Sequence, residues 1–294
     1  PLENKKYKTE SMKKVNMKVL EILKMPMDRF RMDVSAHPFT THISMDDVRI
    51  TTRYEGINFK STLFSTIHES GHALYELQKD PSLAWTPVAG APSLGFHESQ
   101  SRFLENMVGR SKEFVRLLYP YLRENLPFLK NYDEQDIYIY FNTIFPSLIR
   151  VDADEVTYNF HIALRYEIEK NLLTGKFSVG DLPEIWDEFM EKYLGVRPKN
   201  VSEGVLQDIH WSQGSFGYFP TYSLGNIISA IIRYKIKDLY ENIGKGDIEY
   251  VKKYLREKVH RYGSIYTPKE LLKISFNEGY NPDYLIKYFR EKYL

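Results

Sequence analysis

The sequence contains no cysteine, which excludes disulfides, thiolate-ligated zinc, iron–sulfur clusters and thiol nucleophiles together. Any metal must therefore be held by His and carboxylates. No run approaches the roughly 18 consecutive apolar residues of a membrane helix; the richest, Ile227 to Ile232, is interrupted by Ser229 and followed by Arg233. An excess of one charge is lacking too. Against 40 Lys and Arg stand 39 Asp and Glu, a formal net charge of +1, so neither nucleic acid nor a membrane surface is expected as a partner. Gly and Pro are sparse, at 16 and 14 of 294 residues, and no segment is of low complexity, which sets aside collagen-like repeats and disordered linkers. Aromatic side chains are plentiful: 23 Tyr, 17 Phe and 3 Trp are ample for a large core. No internal repeat divides the chain. A single catalytic domain over residues 1–294 and a cytoplasmic location are the expectations.

Helical periodicity dominates. Val15, Val19, Leu20, Ile22 and Leu23 form an apolar stripe among lysines from Met12 to Met25, and Pro26 stops it. Between Met32 and Tyr54 the pattern shortens to alternation, with Val48, Ile50, Thr52 and Tyr54 separated by Arg49, Thr51 and Arg53. This predicts a small sheet or hairpin. Helices are predicted again from Thr62 to Leu77, Pro92 to Gly109, Ile137 to Ile144, Pro146 to Leu173 and Leu182 to Leu194, the fourth of these unusually long. A stretch rich in Gly and aromatics, Gly204 to Gly225, has no clean period and reads as functional loop. Amphipathic helices follow it to Leu294.

Within the helix predicted from Thr62, His68-Glu69-Ser70-Gly71-His72 fits H-E-x-x-H. Its two imidazoles leave one helix face a turn apart, which suits two ligands of one tetrahedral metal. Glu69 is offset by one residue, beside the metal and not on it, the place of a base that deprotonates water. Gly71 permits close approach of a facing element. A third ligand is needed, and His97-Glu98-Ser99-Gln100 offers two candidates, His97 and Glu98, that spacing does not separate.

Three other clusters carry polar groups. His37-Pro38-Phe39 and the alternating row Asp47, Arg49, Thr51, Arg53 lie in the sheet region, where an exposed strand face is the simplest account. Arg150, Asp152 and Asp154 stand on the long predicted helix with His161, and satisfied core polar groups are an alternative for Asp154 and His161. His210, Tyr218 and Tyr222 lie in the irregular aromatic segment, able to present donors to a developing oxyanion.

Taken in order, His37-Pro38-Phe39, Asp47 to Thr51 as D-x-R-x-T, His68 to His72, His97 to Gln100, Ile149 to Asp154 as I-R-x-x-A-D, Leu206-Gln207-Asp208-Ile209-His210-Trp211 and Gly217 to Tyr222 resemble the M32 metallocarboxypeptidases, the carboxypeptidase Taq group. The resemblance implies a mainly α fold, a helical gluzincin-type metallopeptidase with a small β-sheet flanking the active-site helix. It implies a homodimer that removes C-terminal amino acids from peptides with broad side-chain tolerance, holding one zinc, or cobalt, in a deep groove. Carried over by motif, the metal ligands are His68, His72 and Glu98, and Glu69 is the general base and acid. Family members are longer, with a large helical portion ahead of the His-Pro-Phe motif, so the chain reads as their C-terminal part.

On this reading, His210 and Tyr222 are the candidate oxyanion donors, with Tyr218 a lesser one. An exopeptidase of this polarity must recognise a free carboxylate. The planar fork of an Arg is suited to that, Arg150 first and Arg49 second, with Arg49 paired to Asp47 as the other possibility. Asp154 is a candidate for orienting a ligand imidazole. Two other functions remain open from sequence: a metal-binding but catalytically impaired peptide-binding fragment, and a helical scaffold without metal.

Overall fold

A computed structural model describes residues 2–294. In chain order its elements are α1 (Thr9–Ile22), β1 (Phe30–Val34), β2 (Thr40–Ser44), β3 (Asp47–Thr52), α2 (Phe59–Gln78), α3 (Leu94–Arg102), a π-helical segment (Phe103–Gly109), α4 (Lys112–Asn125), α5 (Glu134–Phe141), α6 (Tyr158–Leu173), α7 (Leu182–Leu194), α8 (Pro220–Lys235), α9 (Leu239–Gly244), α10 (Ile248–Lys258), α11 (Pro268–Phe276) and α12 (Asp283–Tyr293). Short 3-10 turns join several of them. The expected mainly helical fold with one small sheet is what forms. No described helix is long and apolar enough to cross a membrane.

The chain divides into two compact units. One comprises the residues up to Phe141 together with Gly225–Leu294, the other Asn142–Leu224. The first is organised around α2, whose Phe59, Leu63, Ile67, Ala73 and Tyr75 have no exposed surface. Each side chain of the size of Leu or Phe contributes on the order of 1.5–3 kcal/mol when fully buried. Asn58, in the left-handed region at φ 53°, starts this helix by accepting from Ser61 N at 3.4 Å. Ser93 does the same for α3, accepting from Phe96 N at 3.2 Å. The sheet has order β1-β3-β2, with β1 parallel and β2 antiparallel to β3. Central β3 buries Val48 and Ile50, while β2 is an edge strand with Thr40 opposite Ile50.

Gly71 sets the approach of α2 to α3. A Cβ at that position would lie 2.4 Å from the Gln100 carbonyl oxygen and 2.5 Å from Ser101 Cα, far inside contact distance, so the two backbones touch where only Gly fits. α3 also meets Gly225 of α8, where a Cβ would lie 2.9 Å from Glu98 Cγ. Ser229, one turn further along, donates to the Ser99 carbonyl at 2.8 Å. The close approach expected of Gly71 is therefore present, and α3 is its partner.

The second unit packs Leu164 and Ile168 of α6 against Trp186 and Met190 of α7, with Tyr158, Ile162 and Phe219 in an adjoining cluster. Here the sequence expectation needs correction. The helix expected from Pro146 to Leu173 begins only at Tyr158, and residues 146–157 are irregular apart from a 3-10 turn at Arg150–Asp152. Asp154 is the reason. Its carboxylate accepts from the backbone N–H of Val156 and Thr157, both at 2.9 Å, from Thr157 Oγ1 at 2.7 Å and from Phe145 N at 3.0 Å. It thus satisfies donors that a continuing helix would take for itself. Asp154 consequently starts α6 and orients no imidazole. Two smaller differences concern the helix ends. The helix expected to reach Ile144 stops at Phe141, and that expected from Pro92 to Gly109 changes to π-helix at Phe103.

Gly71→Ala drives a methyl group into the Gln100–Ser101 backbone and forces α2 and α3 apart. Its expected effect is a stability loss of about 1–3 kcal/mol or more, read as a lowered denaturant midpoint, together with weaker divalent-metal binding than wild type.

Candidate metal centre and active site

Four-residue spacing along α2 puts His68 and His72 on one face, and α3 brings Glu98 to meet them. Glu98 Oε2 lies 3.7 Å from His68 Nε2 and 3.4 Å from His72 Nε2, and the three donor atoms all fall within 4.8 Å of one another. Atoms bound at 2.0–2.2 Å to a tetrahedral ion stand about 3.3–3.6 Å apart, so the spacing suits one shared ion better than direct hydrogen bonds. Among the described residues these three form the one group of His and carboxylates so arranged. His97 is not part of it: its Nε2 is 3.0 Å from Glu76 Oε1.

The ligand candidates are themselves held. Arg102 Nε donates to Glu98 Oε1 at 2.7 Å, and Ser101 Oγ to Oε2 at 3.2 Å, which leaves Oε2 aimed at the imidazoles. His68 Nδ1 is 2.8 Å from Glu105 Oε2. Glu105 in turn accepts from Arg102 Nη1 and Arg110 Nη2, each at 3.2 Å. A carboxylate behind a ligating imidazole fixes its tautomer and orientation.

Electrostatics favour a cation at this point. Burial works against the charge on Glu98, but His68 and Arg102 outweigh it and hold the carboxyl well below its ordinary range. Glu105, buried as well, is lowered to about 2 by Arg102, His68 and Arg110. The Glu98 and Glu105 charges overcome the burial of His68 and raise it, whereas burial, with His68 and His97 nearby, lowers His72 toward its neutral, ligating form. The donor set of two imidazoles and one carboxylate fits a divalent ion with a position left open for water or substrate.

Glu69, 7% exposed, is positioned from the sheet. Thr40 Oγ1 of β2 bonds its Oε2 and lies 3.1 Å from its backbone carbonyl. No protein group bonds Oε1 among the described residues. Arg49 is forked on Asp47 in β3, both N–O distances 2.7 Å, the pairing weighed from sequence as the alternative to substrate contact. Thr51 of the same row is buried and bonds Ser35 and Phe39.

In the second unit Arg150 is buried. Its Nε and Nη2 donate to Asp208 Oδ1 at 2.9 and 2.8 Å, and its Nη1 to Tyr158 OH at 2.7 Å. Arg165 takes the other Asp208 oxygen at 2.6 Å, so two guanidinium groups share one carboxylate. Burial opposes the charge of Asp208, and the two arginines hold it below its ordinary value. His210 Nε2 is 3.1 Å from Tyr222 OH, with the Tyr218 ring edge-on to His210 at 5.0 Å. Burial, followed by Arg150, lowers His210 and keeps it neutral near pH 7.

The sequence model of the carboxypeptidase Taq (M32) metallopeptidase family matches residues 2–293. The chain belongs to that family. Thermostable carboxypeptidase 1 of Pyrococcus furiosus is 54% identical over 299 residues, covering 100% of this chain and 60% of the relative. Carboxypeptidase 1 of Bacillus subtilis is 41% identical over 294 residues, covering 98% of this chain and 59% of the relative. Among solved structures, that of Pyrococcus furiosus carboxypeptidase described as Apo-Mg superposes with a TM-score of 0.98 at 54% identity, over 100% of this chain and 60% of that one. The chain thus spans about three fifths of the length of the M32 relatives it matches.

Sequence reasoning gave no role to Glu105, Arg102, Glu76, Thr40 or Asp208, although Asp208 stood within one of the quoted motifs. For three of them a signal existed: Glu76 continues the His68, His72 spacing by four, and Arg102 and Glu105 follow Glu98 at four and seven on one helix face.

Glu105→Gln is expected to weaken divalent-metal affinity by about 10–100-fold, measured by competition with a chromophoric chelator. Because the Glu105 carboxyl is lowered in the folded chain to about 2, its stabilisation is present above its ordinary value near 4.5 and is lost as pH falls toward about 2. In the presence of chelator, Glu105→Gln should therefore make the fall of stability between those pH values shallower than in wild type, measured by denaturant titration.

Proposed function

We propose that this chain is the catalytic part of a metal-dependent carboxypeptidase that hydrolyses the C-terminal peptide bond with broad side-chain tolerance. The observation that carries the reading is the convergence of one donor atom each from His68, His72 and Glu98 within 4.8 Å, beside a Glu69 carboxylate whose Oε1 is bonded by none of the described residues, in a chain of the M32 metallopeptidase family. Zinc is the ion that best suits two imidazoles and a carboxylate, with cobalt second. When bound, such an ion supplies Lewis acidity, polarising the scissile carbonyl and making water acidic enough to attack at neutral pH.

The remaining work falls to side chains. Glu69 Oε1 accepts the proton of the attacking water and returns it to the departing amine, while Thr40, on Oε2, keeps the carboxylate from rotating away. Glu105 and Arg102 hold the ligand shell. For the negative charge that grows on the carbonyl oxygen we assign His210 and Tyr222 as donors, with Tyr218 secondary. Support comes from the 3.1 Å His210–Tyr222 contact, which keeps these two polar groups side by side. For the terminal carboxylate we assign Arg150 ahead of Arg49. Asp208 with Arg150 and Arg165 carries two positive charges against one negative, and that surplus favours an anion.

Glu69→Gln should retain metal and lower kcat by about 10²–10⁴-fold, measured on a blocked dipeptide with a free C-terminus. Amidating that terminus should abolish cleavage in wild type. Equal cleavage of the amide would replace the exopeptidase reading with an endopeptidase one, and bound metal without turnover would leave the impaired peptide-binding fragment.

A further inference from the structure

The two imidazole ligands are held in unlike ways. His68 has the carboxylate of Glu105 behind it, at 2.8 Å from Nδ1. His72 has nothing comparable: its Nδ1 is buried and no described group hydrogen-bonds it. Its ring instead lies face to face with that of His97, with centroids 4.6 Å apart and planes inclined by 19°. His97 is fixed in its turn, since its Nε2 is bonded to Glu76 Oε1 at 3.0 Å and Tyr75 leans against its ring at 5.3 Å. Glu76 is 4% exposed and clamped by the equally buried Lys79 through Oε2, with His42 Nδ1 of β2 also 3.3 Å from that oxygen.

We propose that His97 is a positioning residue for the metal ligand His72, acting through ring stacking where the other ligand uses a carboxylate. A ligating imidazole needs one nitrogen aimed at the ion, which fixes the ring plane as well as the χ1 and χ2 rotamers. For His68 a hydrogen bond in the ring plane does this. For His72 the constraint comes from above the plane: a parallel ring, anchored to a buried ion pair on α2, prevents rotation about χ2. The bond from His97 to Glu76 makes the stack stiff, because Glu76 lies one turn beyond His72 on the same helix and Lys79 keeps its charge in place. His97 thus belongs to the metal centre without donating an atom to it.

The inference rests on the metal-site reading above, so the test separates the two. Zinc affinity is measured by chelator competition for wild type, His97→Ala and His97→Phe, with the thermal midpoint of each metal-free protein alongside. His97→Ala should weaken binding about tenfold or more, the loss typical of groups that orient a ligand. His97→Phe keeps a flat ring and should restore most of that affinity while lacking the bond to Glu76. Equal affinity in wild type and Ala, or a Phe variant as weak as Ala at unchanged thermal midpoint, overturns the proposal. If wild type holds no zinc, the metal reading falls and the stack is judged separately. In metal-free protein carrying labelled histidine, the His72 ring protons should be shifted upfield by their stacked neighbour in wild type and in His97→Phe, and the shift should vanish in His97→Ala. No change in Ala refutes the stacking in either case.

Discussion

The backbones of α2 at Gly71 and α3 at Gln100–Ser101 come so close that no Cβ fits between them, and the metal centre hangs on that approach. Glu98 has a short reach. Its Oε2 arrives within 3.4 Å of His72 Nε2 only because the helix that carries it is pressed onto the one that carries the histidines. Gly225 of α8 also comes close to α3, where a Cβ would lie 2.9 Å from Glu98 Cγ and 3.2 Å from Ser99 N, so a second glycine leaves room for the Glu98 side chain. Small residues here convert backbone proximity into ligand geometry, and helix packing and metal binding become one quantity.

Around that contact the charges are arranged in layers. Glu98 and Glu105 provide the negative field, and Arg102 and Arg110 offset it on the side away from the imidazole Nε2 atoms. A buried carboxylate without such partners would take up a proton or destabilise the fold. With them it stays ionised, and the uncompensated part of the field points to where a cation is to sit. Thr40 extends the arrangement to the sheet by holding one oxygen of Glu69, which gives the short β2 a chemical task beyond closing the edge of β3.

Much of this was legible from residue spacing. His68 and His72 at four apart specify a shared face whatever surrounds them, and Gly71 inside the motif announced a close neighbour. Choosing Glu98 over His97 required the family resemblance, since both are ligands by chemistry; in three dimensions the answer follows from His97 being committed to Glu76. Glu76 and Glu105 went unnoticed although they sit at helical spacing, because the groups behind a ligand can be recognised only when the face pointing at the metal is known. The overlong helix from Pro146 had a different cause. Apolar periodicity does not register a side chain that competes for backbone N–H groups, and Asp154 is such a side chain. Arg150 shows a third kind of gap: its partner Asp208 lies 58 residues away, beyond the reach of any local pattern.

The π-helical segment Phe103–Gly109 has a consequence for how this region tolerates changes of chain length. In an α-helix residues five apart point in different directions, but here Arg110 reaches Glu105, five positions before it, at 3.2 Å, as the wider π turn permits. The extra residue in that turn is thus a spacer inside the metal centre. Deleting one residue between Glu105 and Arg110 would restore ordinary helix and make Arg110 the fourth residue after Glu105, still on the same face. Glu105 would keep both of its cations, so the π turn absorbs an extra residue without moving Arg110 off the face it shares with Glu105. A change of one residue in chain length is thus absorbed within this stretch as a switch between π and α turns.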